Sequence, residues 1–109
     1  MVDEKLIDLD SGLARVGGNM TLFKRLLGKY ADGGYIEKLL AHIADGDIGG
    51  ASADAHTIKG VAANLSLMAV NAAAVELEHA LKNGGDYSAF VEKLSELHNA
   101  TLSEIAKIE

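Results

Sequence analysis

The sequence predicts an all-α protein, an antiparallel up-down four-helix bundle preceded by one or two short N-terminal accessory helices. Three observations carry this. The 109 residues include no Pro, and three Tyr, two Phe and no Trp stand against a large stock of Ala and Leu, a balance that favours helices packed through small and aliphatic side chains. Paired glycines at Gly17-Gly18, Gly33-Gly34, Gly49-Gly50 and Gly84-Gly85 cut the chain into helix-sized pieces. Within each piece, apolar residues recur at helical spacing.

The first piece, DLDSGLARV, places Leu9, Leu13 and Val16 on one side, with Asp10 and Ser11 as candidate caps, and reads as a short accessory helix. From Asn19 to about Ala31, Met20, Phe23, Leu27 and Tyr30 share a face, and Asn19 suits an N-cap. From Tyr35 to Ala44 the stripe is Ile36, Leu39, Leu40 and Ile43. Residues 51–83 are too long for one helix of a compact domain, and LSL at Leu65 to Leu67 is the expected break, with Ser66 able to cap the next helix. Ala51, Ala55, Ile58, Ala62 and Leu65 form the stripe before the break; Val70, Ala74, Leu77 and Leu81 form the one after it. The last helix runs from Asp86 to near the C-terminus through Phe90, Leu94, Leu97, Thr101, Ile105 and Ile108. Short connections make sequential helices antiparallel neighbours, hence the bundle. Its expected extent is a single domain over residues 1–109.

Apolar residues at 49% and charged residues at 24% suit a folded chain and not a disordered one. The formal charge of -6, with Lys and Arg scattered, argues against nucleic acid as a partner. No Cys is present, which removes thiol nucleophiles, disulfides and Cys-type metal sites. The start, Met1-Val2-Asp3-Glu4-Lys5, lacks a basic and apolar leader, and the longest uncharged stretch, GVAANLSLMAVNAAAV, is too short for a membrane span. A cytoplasmic protein without membrane contact is therefore expected.

Chemistry concentrates in AHTIKG, residues 55–60. At about 100° per residue, the stripe through Ala51, Ala55, Ile58, Ala62 and Leu65 points at the core. His56, Lys59, Gly60 and Ala63, with Ser52, then face away from it. An exposed imidazole is mostly neutral and nucleophilic at neutral pH. Lys59, one turn on, supplies a cation where an anion on His56 would sit. Gly60 removes bulk at a helical cost of roughly 0.5–1 kcal/mol, which makes sense where another molecule must approach closely.

AHTIKGVAANLS, in a helical-bundle pattern with ELE at Glu76 to Glu78 in the next helix, resembles the histidine-containing phosphotransfer (HPt) domains of two-component phosphorelays. GLARVGGN at Gly12 to Asn19 and the adjoining LFKRLL are similar to the lead-in of bacterial members. The resemblance implies that His56 is the phosphoacceptor, that Lys59 helps neutralise the phosphate, and that Ser52, Lys59, Gly60, Ala63 and Asn64 meet the partner. It implies response-regulator receiver domains and a hybrid sensor histidine kinase as partners. It further implies no cofactor on this chain, with Mg2+ carried by the receiver, and a relay intermediate without kinase activity of its own. Ser66 stands where the family commonly has Gly, and Val61 and Ala62 stand where it often has Ser.

The same residues admit two competing readings. One is a bundle that docks on a receiver or other regulator without phosphotransfer. The other is a metalloenzyme, suggested by Glu-x-x-His at Glu76 to His79; a bundle di-metal site needs a second such pair, and Leu39, Ala53 and Ser95 precede the other histidines instead. Glu78 and His79 are expected on the bundle surface or its margin. His42 and His98 are expected as partly exposed structural residues.

Overall fold

The computed structural model describes residues 5–108, so residues 1–4, on which the reading of the N-terminal leader rested, lie outside the described residues. The described chain is all-helical: α1 (Leu9–Arg15), α2 (Met20–Asp32), α3 (Tyr35–Ala44), α4 (Ile48–Asn64), α5 (Met68–Asn83) and α6 (Ser88–Ile108). α3 packs on α4, α4 on α5 and α5 on α6, while α2 lies against α6 and α1 against α2. α2 closes the bundle against α6 and buries Phe23, Leu27 and Tyr30 in its core, and α1 is the short accessory helix.

The stripes read from the sequence form the core. Phe23, Leu27, Tyr30, Ala51, Ala55, Ile58, Ala62, Val70, Ala74, Leu77, Leu94 and Ile105 are all buried. α4 and α5 meet largely through alanine, which lets their backbones run close together. Leu40 departs from its expected stripe and is 41% exposed, because Leu39 and Ile36 already fill the face that α3 turns to the core.

α4 begins at Ile48, not Ala51, and takes in the Gly49-Gly50 pair that reads as a breaker. Asp47 explains this: its carboxylate accepts from the Gly50 N–H at 2.8 Å, satisfying a first-turn donor that has no partner within the helix. Gly50 is also crowded, since a Cβ there would lie 2.7 Å from Asp47 Oδ2 and 2.8 Å from His42 Cδ2, and both side chains would have to shift. At the start of α1 the capping residue is Asp8, whose side chain accepts from Ser11 N, and neither Asp10 nor Ser11 fills that place. Asn19 caps α2 as expected, accepting from Leu22 N at 3.0 Å.

α3 and α4 are tied by a polar contact under the surface: the buried Asp54 pairs with His42 Nδ1, and Lys38 Nζ approaches the other carboxylate oxygen at 4.0 Å. His98, expected at the edge of its stripe, is instead buried at 5% exposure. The Tyr30 hydroxyl and His98 Nδ1 share a hydrogen bond of 2.6 Å, which satisfies both polar groups inside the core. Tyr30 also stacks on Tyr35 at a centroid distance of 5.6 Å, so α2, α3 and α6 share one aromatic junction.

The α4–α5 connection turns on Ser66. It takes φ 57, the left-handed conformation in which glycine is at home, and yet is 2% exposed. Ser66 does not cap α5, whose N-cap Leu67 has no side-chain hydrogen bond. Its hydroxyl donates instead to Ser11 Oγ at 2.9 Å, and its carbonyl accepts from Asp8 N at 2.9 Å. The Lys5 carbonyl accepts from Ala69 N at 2.9 Å, so the segment before α1 satisfies a first-turn donor of α5 and holds the turn from outside. Hydrogen bonding to the N-terminal segment thus offsets the backbone cost that Gly would avoid.

Two substitutions at Ser66 separate the bond from the strain. Ser66→Ala keeps the strained φ and loses the Ser11 bond, whereas Ser66→Gly loses the bond and relieves the strain. The glycine variant is expected to be more stable than the alanine variant by about 1 kcal/mol in urea unfolding. Equal stabilities would contradict this account of the turn.

Candidate functional site

The stripe of α4 that packs into the core fixes which way its other face points. With Ala51, Ala55, Ile58 and Ala62 wholly buried, His56 emerges on the side of α4 next to α5, its side chain 67% exposed. It lines an open groove with Gly49, Ser52, Ala53, Thr57, Glu78 and Lys82.

Glu78 reaches into this groove from α5. Its side chain is only 9% exposed, against the expectation of a surface or marginal position, because α4 and α5 approach closely enough for it to lie between them. One carboxylate oxygen, Oε1, accepts from Lys59 Nζ at 2.8 Å. The other, Oε2, faces His56 Nδ1 at 3.1 Å and Lys82 Nζ at 3.0 Å. The hydrogen bonds from Lys59 and Lys82 hold the Glu78 carboxyl down at about 2, against an ordinary 4.5, and outweigh the opposing effect of burial.

This assigns the histidine tautomer. An ionised carboxylate can only accept, so His56 Nδ1 carries the proton and donates it, and Nε2 is left with its lone pair toward solvent. The arrangement is an oriented, exposed imidazole with two ammonium groups on the carboxylate behind it.

The candidate residues separate on the structure. Ser52 shares the groove with His56. Lys59 is directed back along α4 to Glu78, so in the resting site its charge is already paired. Gly60, Ala63 and Asn64 do not share that groove; Ala63 and Asn64 are exposed and Gly60 is open on its outer side. A Cβ built at Gly60 would meet nothing within 4 Å, so the packing of this chain does not itself require glycine there. Asn64 turns to a different recess, lined by Leu26, Lys29, Tyr30, Tyr35, Val61 and Leu65, and is not brought together with His56.

Sequence reasoning missed the roles of Glu78 and Lys82. The available signal was the i, i+4 spacing of Glu78 and Lys82 on the α5 face carrying Leu77 and Leu81, since an acidic residue beside such a stripe lies at a helix–helix seam. In the Glu-x-x-His pattern, Glu76 Oε1 pairs with Lys93 Nζ at 3.6 Å and the exposed His79 contacts Asn83. Among the described residues, no three His, Asp or Glu side chains are grouped to hold a metal ion.

The shifted groups set the acid dependence of stability. Burial lowers the pKa of His98 below its ordinary value, with Glu37 acting weakly the other way, so the unfolded chain binds this proton more readily than the folded one. The contribution of His98 is complete above about pH 6.5 and is lost as pH falls below it. Glu78, held down at about 2, contributes stability that is complete above 4.5 and is lost between there and about 2. Stability measured by unfolding from pH 7 to 2 is expected to fall in two stages, and Glu78→Gln is expected to flatten the lower one alone. A wild-type profile level from pH 7 to 5 would contradict the assignment to His98.

Comparison with known families matches an Hpt domain model to residues 33–107, which run from the turn before α3 to the end of α6. The matched part holds α3 to α6, and α1 and α2, including the GLARVGGN and LFKRLL lead-in, lie outside it. Comparisons with curated proteins and with solved structures gave no match. Hpt domains work with receiver domains and kinases in phosphorelays, and among the described residues no helix is long and apolar enough to cross a membrane. With its four-helix span matched and an oriented, exposed histidine on the second helix of that span, the chain belongs to the Hpt domain family and has a phosphotransfer role in two-component signalling.

Proposed function

We propose that His56 accepts a phosphoryl group from the aspartyl phosphate of a receiver domain, within a relay fed by a hybrid sensor kinase, and passes it to a response-regulator receiver. The observation that carries this reading is the His56–Glu78 contact, which leaves an exposed Nε2 with a free lone pair.

In the forward step the Nε2 lone pair attacks phosphorus held in line, an N–P bond forms, and the P–O bond to the aspartate breaks with its electron pair on the departing carboxylate. The imidazole keeps its Nδ1 proton and becomes cationic. Glu78, accepting that proton's hydrogen bond, stabilises the charge as it develops. In the return step the N–P electrons go back to the ring, and the neutral tautomer is restored without any proton leaving the site.

Phosphoryl transfer demands positioning and charge neutralisation more than covalent chemistry from the protein. Lys59 is placed to turn part of its charge from Glu78 to a phosphoryl group on His56, and Gly60 leaves clearance for the receiver. Ser52, Ala63 and Asn64 complete the proposed contact surface. The chain acts as a monomer, holds no cofactor and has no kinase activity; Mg2+ belongs to the receiver partner.

Incubation with a phosphorylated receiver tests the proposal. The wild type is expected to take up acid-labile, base-stable phosphate, and His56→Gln to take up none. Lys59→Ala is expected to slow uptake about fivefold, since a unit charge pair at ~4 Å in water is worth about 1 kcal/mol. A wild type that stays unlabelled under conditions that label another Hpt domain contradicts the proposal and leaves docking without transfer. Label on the His56→Gln protein contradicts the site.

A further inference from the structure

α5 carries a second polar side chain on the face it turns to α4. Asn71 and Glu78 are one heptad apart, hence within about 20° of each other around the helix and roughly 10 Å apart along it. Asn71 Nδ2 donates to the Lys59 carbonyl at 3.0 Å. That carbonyl sits within α4, where its other lone pair serves the helix ladder. The contact therefore fastens one helix to the backbone of the other at the residue whose side chain reaches Glu78.

Its effect is axial. Alanine faces such as those of α4 and α5 bury area without specifying register, since small side chains offer few knobs to lock into holes. A slip of α5 by one residue moves Glu78 by about 1.5 Å. The 3.1 Å separation of Glu78 Oε2 and His56 Nδ1 would then exceed hydrogen-bond range. The Ser66 turn fixes the register at the end of the pair, and Asn71 fixes it between that turn and the site.

We propose that Asn71 is a positioning residue for phosphoryl transfer: by donating to the Lys59 carbonyl it sets the register of α5 on α4, and so holds Glu78 against His56 Nδ1. It touches neither the imidazole nor the phosphoryl group. The proposal rests on the reading of His56 as phosphoacceptor for its kinetic consequence, but its structural part stands without it.

Two variants test it. Asn71→Leu removes the donor, and Asn71→Asp keeps the shape while turning the donor into an acceptor that the Lys59 carbonyl repels. Ring nitrogen shifts of His56, read by 15N NMR in the full chain, are expected to show the Nδ1–H tautomer in the wild type and a loss of that preference in both variants. Uptake of phosphate from a phosphorylated receiver is expected to fall about threefold to tenfold, the kinetic equivalent of one hydrogen bond. A general loss of stability would not move the tautomer of a folded protein, so this readout separates positioning from support. If leucine prevents folding, the aspartate variant carries the test. A folded variant that retains the wild-type tautomer overturns the proposal. A wild type that takes no phosphate while the variants lose the tautomer overturns the transfer reading and leaves the register assignment standing.

Discussion

The site depends on one carboxylate serving three donors. Glu78 has two oxygens, and His56, Lys59 and Lys82 share them. Without the lysines a largely buried carboxylate would be driven toward its protonated form, in which it could donate to the imidazole as well as accept. With them it remains an acceptor at any physiological pH, and the histidine tautomer is fixed as a consequence. The imidazole is thus oriented through lysine charges that it does not itself touch.

Everything else in the fold serves that contact at longer range. The alanine seam brings α5 close enough for Glu78 to reach across. Ser66, held by Ser11 and Asp8, sets where α5 starts relative to where α4 ends. The Tyr30–His98 bond joins α2 to α6, and the His42–Asp54 pair joins α3 to α4. α1 and α2 lie outside the matched Hpt span, yet the segment leading into α1 holds the α4–α5 turn. The segment before α1 therefore helps to hold the turn from which α5 starts.

The sequence made the core legible because it is periodic: the α4 stripe, Ala51 to Leu65, is buried as its spacing requires, and that alone places His56 outside. What periodicity could not supply was the partner of each polar group. Gly49-Gly50 reads as a break until Asp47 is seen to cap the turn that contains it. His98 borders its stripe by angle, but the hydroxyl that lets it be buried comes from Tyr30, 68 positions away. Glu78 looks like a surface residue because acidic side chains usually are, and the two lysines that permit its burial lie on different helices. Local spacing points to the exposed histidine and its neighbouring cation; the carboxylate that orients the ring is a long-range fact.

The most direct measurement of the central claim is the ring position of the phosphoryl group on His56, read from 31P–15N couplings in the labelled protein. Attachment is predicted at Nε2, with Nδ1 still protonated and bonded to Glu78. Attachment at Nδ1 would contradict the claim, because that nitrogen would then have had to leave the carboxylate that orients the ring.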